Sequence, residues 1–137
     1  MTRMLTVLVV AGASLLLAST ASTQTGTTVT IRHQLHGCHS WSVNGGAYKP
    51  SQSVTLNKGS TLTVVDNDVM PHRLVKLSGP ALVLPSSANM SHPGASVHVK
   101  FARAGVYTFT TKAGEDYMKG IKTVGEDNVL KLKVTVR

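Results

Sequence analysis

Leu130-Lys131-Leu132-Lys133-Val134-Thr135-Val136-Arg137 closes the chain, and its strict alternation decides the fold class. Leu130, Leu132, Val134 and Val136 face one way, while Lys131, Lys133, Thr135 and Arg137 face the other. A period of two belongs to a strand with one face in the core and one in water; helix faces recur every three or four residues. The same period appears upstream. Val29 and Ile31 alternate with Thr28, Thr30 and Arg32, Leu62 and Val64 alternate within 60–65, and Val97, Val99 and Phe101 repeat the pattern. Residues 106–109 are β-branched or aromatic, which also suits a strand.

Turn formers divide these runs: Asn44-Gly45-Gly46, Asn57-Lys58-Gly59, Ser78-Gly79-Pro80, Pro93-Gly94 and Ala104-Gly105. About seven short strands separated by polar turns predict an all-β, two-sheet sandwich. No stretch has the pattern of a long amphipathic helix, and at most a short helical turn is expected within 85–90 or 114–122. No linker or second domain interrupts the pattern, so residues 27–137 are expected to form one domain.

The N-terminus is set apart from that domain. Arg3 precedes an uncharged run of apolar and small residues, Leu5 to Ala18, and Ser19-Thr20-Ala21 follows with a small-x-small pattern. Residues 1–21 thus read as a secretory signal peptide. The run is short for a bilayer span, so no stable membrane span is expected after cleavage. The location implied is secreted, periplasmic or cell-envelope.

Fourteen Lys and Arg stand against six Asp and Glu, a formal net charge of +8. The cations are scattered rather than clustered, and few aromatics are present to stack on bases, so no nucleic-acid partner is expected. The charge is read first as a soluble surface, and second as attraction towards acidic partners or an anionic envelope.

The chemistry concentrates around one cysteine. Cys38 lies in His36-Gly37-Cys38-His39, shortly after His33. A lone cysteine cannot close an internal disulfide, and in an exported chain it is paired between molecules, buried and inert, or a ligand. Thiolate beside imidazole is the donor combination of soft copper and zinc sites. A second histidine, His72, ends the turn Asp66-Asn67-Asp68-Val69-Met70-Pro71-His72. The metal ligands expected are His36, Cys38, His39 and His72, and the cofactor is copper. His33 continues a strand alternation and is read as a surface or supporting residue. His98 points away from its strand's apolar face, His92 is a loop residue, Trp41 is a core residue, and Met70 packs near the site.

From Thr27 to the C-terminus the chain resembles the cupredoxins, small copper proteins with a Greek-key β-sandwich. Two stretches carry the resemblance. Thr61-Leu-Thr-Val-Val-Asp-Asn-Asp-Val-Met-Pro-His72 is similar to the strand, turn and first copper histidine of the family. Ala104-Gly-Val-Tyr-Thr-Phe-Thr-Thr111 with Tyr117-Met-Lys-Gly120 is similar to the strand and loop that carry cysteine, the second histidine and methionine. The departure is large. Thr111 stands where the family has cysteine, Glu115 and Asp116 are the only acids in the stretch that should hold the second histidine, and Met118 alone fits its position. The resemblance also implies that the first strand runs parallel to the strand before the copper histidine. Both strands then end at one pole, where His36, Cys38 and His39 can stand in for the missing loop ligands, with Met118 or Glu115 as a weak further contact.

The sequence carries no nucleophile elbow or paired-carboxylate pattern, and multicopper oxidases need His-x-His motifs across several domains, so no enzyme is expected. The reading is an exported copper-binding protein, used for electron transfer with a redox partner protein or for copper handling. The alternative is a metal-free β-sandwich that acts as a cell-envelope interaction module.

Overall fold

The computed structural model describes residues 26–34, 39–114, 119–120 and 128–137. Among the described residues nine strands occur in chain order: β1 Thr27–His33, β2 His39–Val43, β3 Ser51–Leu56, β4 Thr61–Asp66, β5 His72–Ser78, β6 Asn89–Met90, β7 Ser96–Lys100, β8 Gly105–Ala113 and β9 Lys131–Val136. A 3-10 turn, Ser86–Ala88, falls inside the 85–90 stretch expected to be helical, and most of the 114–122 stretch lies outside the described residues. No helix among the described residues is long and apolar enough to cross a membrane. The predicted signal peptide, residues 1–21, lies outside the described residues.

The strands form two mixed sheets, ordered β2-β1-β4-β7 and β3-β9-β8-β5-β6. The chain crosses between them after β2, β3, β4, β6 and β7, giving an all-β sandwich of the Greek-key, cupredoxin-like kind. Two pairings are parallel, β1 with β4 and β3 with β9. The first is the pairing that the cupredoxin resemblance implies.

Alternation explains the core. Val29, Ile31, Leu62, Val64, Val97 and Val99 project inward from one sheet, and Leu74, Tyr107, Phe109, Leu132, Val134 and Val136 from the other. Their outward neighbours Lys131 and Lys133 are exposed. Trp41 is fully buried and its indole N–H donates to the Pro50 carbonyl at 3.1 Å, so it is a core residue with its polar atom satisfied. Phe101 packs edge-on against Tyr107, with ring centroids 4.9 Å apart. Gly79 needs to be glycine: φ is +111°, and a Cβ would lie 2.6 Å from the Val106 carbonyl oxygen.

This topology fixes the site. Ile31 pairs with Asp66, so β1 and β4 end together at one pole of the sandwich. His33 pairs with His39 where β1 and β2 meet, and His72 pairs with Ala113 at the end of β8. Ends from both sheets therefore converge between the layers.

Candidate metal centre

Two aspartates shape the turn between β4 and β5. The Asp66 carboxylate accepts the backbone N–H groups of Asp68 at 3.0 Å and His72 at 3.1 Å. Its own N–H donates to the Ala95 carbonyl, and Asn67 N–H donates to that of Ile31. These bonds close the turn and aim His72 inward. Burial raises the Asp66 carboxyl from 3.8 to about 6, although the Asp68 and His72 amides and the His72 charge oppose the rise.

Asp68 behaves in the opposite way. Burial alone would raise its carboxyl, but the hydrogen bond with His39, the His72 ring close by and the Met70 amide outweigh burial. The net result holds Asp68 well below the usual carboxylate range. Asp68 is thus a fully buried anion. Its Oδ2 lies 2.8 Å from His39 Nδ1 and 3.4 Å from His72 Nε2, and its Oδ1 lies 3.6 Å from His33 Nδ1.

The histidines surround that anion. The His39 and His72 rings meet edge to face with centroids 4.6 Å apart, and His33 meets His39 at 6.0 Å. His39 and His72 are buried, whereas the His33 side chain is 44 % exposed. On the far side of the His72 ring, Nδ1 lies 3.0 Å from Thr111 Oγ1, while the buried Nε2 has no hydrogen-bond partner. When Nδ1 carries the proton and donates it to Thr111, Nε2 turns a bare lone pair towards Asp68. Two acceptors facing each other at 3.4 Å need a proton or a cation between them.

The donor set fits a metal ion. His33, His39 and Asp68 offer ligand atoms within 4.8 Å of one another. Adjacent ligands of a tetrahedral ion with bonds of about 2.0–2.2 Å stand about 3.3–3.6 Å apart. The separations from Asp68 to His72 and to His33 match that edge. The His39 pair is shorter because those two groups hydrogen-bond directly. A cleft of about 320 Å³, lined by His39, Thr110 to Ala113, Asn128 and Val129, opens beside the cluster. Asn128 also donates to the His39 carbonyl at 3.1 Å, tying the start of β2 across to the chain before β9.

Of the residues singled out from sequence, His39 and His72 are brought together. His36 and Cys38 lie outside the described residues, as do Met118, Glu115 and Asp116. His92 is exposed, and His98 is an exposed residue bonded to Thr63 at 3.0 Å, so both stay apart from the cluster. Two neighbours of this pair were not named as ligands from sequence. His33 belongs to the cluster even though strand alternation places it on the surface, because the β1–β2 register sets it opposite His39. Asp68 looked like an ordinary turn former; its spacing four residues before His72 was the available signal. Thr111, which occupies the cysteine position of the resemblance, bonds to His72 instead of replacing a ligand.

No protein-family model matches the chain, and no curated protein matches it. Solved structures similar to it include cupredoxins and multicopper oxidases. Amicyanin from Paracoccus versutus is 16% identical over 83% of each chain, with a TM-score of 0.45. A purple cupredoxin from Nitrosopumilus maritimus is 16% identical, with 80% of this chain and 98% of that one covered and a TM-score of 0.44. A multicopper oxidase from Aquifex aeolicus is 13% identical, with 82% of this chain and 27% of that one covered and a TM-score of 0.48.

Proposed function

We propose that this is an exported copper-binding protein, secreted or held in the periplasm or cell envelope, that serves in electron transfer or copper handling. The observation that carries the reading is the buried, ionised Asp68 ringed by His39, His72 and His33, with His72 Nε2 unbonded. A buried anion ringed by imidazoles is a receptor for a cation, since its desolvation is best offset by direct charge pairing. The nitrogen and oxygen donors favour Cu(II) over the other first-row divalent ions.

His39 and His72 are the central ligands of this reading, with Asp68 beside them. Cys38 and His36 join from residues 35–38, the segment between His33 and His39. Copper, when bound, supplies a one-electron couple. The chain's own residues do the rest: Thr111 orients the His72 ring, Asp66 holds the turn, and burial between the sheets keeps water from competing for the ligands. No catalytic residue is assigned. The redox partner, where electron transfer is the role, is a protein reaching this pole.

A second reading of the donors rests on a specific observation. Among the described residues the His33 and His39 imidazoles and the Asp68 carboxylate lie within ligand reach of one another, with His72 Nε2 3.4 Å from Asp68, so nitrogen and oxygen donors are present without a thiolate. Copper titration followed by optical and spin-resonance spectra separates the two. An intense visible charge-transfer band lost in Cys38→Ser establishes the thiolate. Stoichiometric copper without that band, lost in His72→Ala, establishes the imidazole–carboxylate site. Failure to take up stoichiometric copper overturns both and leaves the interaction-module reading.

A further inference from the structure

Ser40 and Ser42 sit oddly on β2. His39 and Trp41 take the inward positions of that strand, so both serines point outwards from the sheet. β2 is also an edge strand, and its outward side chains should meet water. Instead the serines are 3 % and 1 % exposed, and neither hydroxyl has a hydrogen-bond partner. A buried polar group left unsatisfied lowers stability, and two side by side call for an explanation.

Register shows what covers them. On one side of β2, Arg32 stands opposite Ser40 and Thr30 opposite Ser42. On the other side Trp41 exchanges backbone hydrogen bonds with Lys49, at 3.2 and 3.1 Å, which sets Tyr48 beside Ser42. Opposed residues of antiparallel strands share a face, so Arg32, Tyr48 and the two serines all lie on the outer side. The Arg32 guanidinium carbon stands 5.6 Å from the centroid of the Tyr48 ring. The stack thus reaches across two strand spacings, about 9.5 Å, and passes over β2 and its serines. Arg32 is exposed, and beyond the ring it has no hydrogen bond or ion pair with a described residue.

We propose that Arg32, Ser40, Ser42 and Tyr48 form a binding site for one phosphate-type oxyanion, with the Arg32–Tyr48 stack as its cover. The donors match that ligand. Guanidinium is a permanently charged fork that takes two oxygens of a tetrahedral anion, and each serine hydroxyl donates one further hydrogen bond. The serines are about 6.8 Å apart along the strand, a separation that an anion between them bridges with bonds of about 2.7 Å. The cover opens without moving the backbone, since an exposed cation–π contact is a weak one. Arg32 leaving the ring uncovers both hydroxyls and keeps its charge at the mouth. A clasp that served packing alone would be better built over alanine, which has no hydroxyl to orphan.

Isothermal titration of the metal-free full chain with inorganic phosphate and with glycerol 3-phosphate, at ionic strength fixed by sodium chloride, tests this independently of the metal centre. One saturable equivalent should bind and raise the melting temperature, as a ligand of the folded state does. Arg32→Gln should lose about 10–100-fold in affinity, the range of charge-assisted hydrogen bonds. The double variant Ser40→Ala, Ser42→Ala should lose a similar factor, while without ligand it melts no lower than the parent. Arg103→Gln, which removes the same charge at another exposed position, should change affinity little. Tighter binding of glycerol 3-phosphate supports the proposal and assigns the site to a phosphate ester; tighter binding of inorganic phosphate supports it and assigns the free ion. Absence of saturable binding overturns the proposal, as does an equal loss in Arg32→Gln and Arg103→Gln. So does a double serine variant that keeps its affinity, or one that melts lower, since the hydroxyls would then be partnered.

Discussion

Asp68→Asn is the most telling single change at the candidate metal centre. Asparagine keeps the size and one carbonyl oxygen, so the Met70 amide, 2.9 Å from Asp68 Oδ1, retains an acceptor. It removes the charge that His39 meets at 2.8 Å and His72 at 3.4 Å. A hydrogen bond to an ionised group contributes about 1.5–3 kcal/mol, so the metal-free chain should lose about 2 kcal/mol of stability near neutral pH. The effect on copper is larger. A residue that only orients a ligand costs about 10–100-fold in metal affinity when removed, and a carboxylate that touches the ion costs more than that. Competition of Cu(II) against a chelator of known strength gives the affinity, and urea denaturation of the metal-free chain gives the stability. An Asp68→Asn protein that folds as before and binds copper with unchanged affinity would refute the view that the buried anion is the cation receptor.

Other predictions concern neighbouring groups. Thr111→Val removes the hydroxyl 3.0 Å from His72 Nδ1 and should weaken copper binding by about 10–100-fold while leaving the sandwich intact, as read by the same competition titration. Cys38→Ser should abolish any intense visible band of the copper-loaded chain if the thiolate is a ligand, and unchanged colour would remove Cys38 from the site. For the metal-free chain, the Asp66 carboxyl is raised from 3.8 to about 6, so the folded state holds its proton more tightly than the unfolded state. Its contribution is present in full below pH 3.8 and is lost as pH rises through about 6, at most about 3 kcal/mol. Asp68, lowered, contributes stability above the ordinary carboxylate range and loses it as pH falls below 3.8. Denaturation of Asp66→Asn across pH 4 to 7 should therefore lack the decline that the parent chain shows there.

The sandwich was legible because alternation is a local property. The Lys131–Val136 strand shows its buried face in six residues, and the turn glycines bound the other strands without reference to distant sequence. The parallel β1–β4 pairing came from the resemblance, and it correctly brings the ends of those strands to one pole. The cluster itself was only half legible. His39 and His72 stood out as histidines, but their meeting depends on packing between sheets. Asp68 was hidden by chemistry: an Asp-Asn-Asp run is the usual composition of a turn, because short polar side chains bond their own backbone. Asp66 does so through the Asp68 amide and Asp68 through the Met70 amide, but Asp68 also reaches His39 across twenty-nine residues of sequence. His33, read as a surface or supporting residue, is 44 % exposed and stands 3.6 Å from Asp68 at the edge of the cluster, in keeping with that reading.

Asp66 and Asp68 are two residues apart and equally buried, yet their surroundings give them different work. Two backbone amides meet the Asp66 carboxylate, which makes it part of the turn. Imidazoles from both sheets meet the Asp68 carboxylate, which makes it part of the site. The environments also push their protonation apart, one carboxyl raised and the other lowered. This division predicts that the two asparagine substitutions will not be equivalent. Asp66→Asn keeps one oxygen for one of the two amides, so at acidic pH, where Asp66 holds its proton, it should cost about 1–2 kcal/mol of stability, less as pH rises, and little copper affinity at any pH. Asp66→Ala orphans both buried amides, and at about 1–3 kcal/mol for each unsatisfied group it should loosen the turn and displace His72. Copper affinity should then fall only with the loss of fold, so that low temperature or a stabilising osmolyte restores it. Asp68→Asn should show the reverse: a modest loss of stability and a loss of affinity that no stabilising condition restores. If Asp66→Asn weakened copper binding as much as Asp68→Asn at equal stability, the separation of scaffold from receptor at this pole would be wrong.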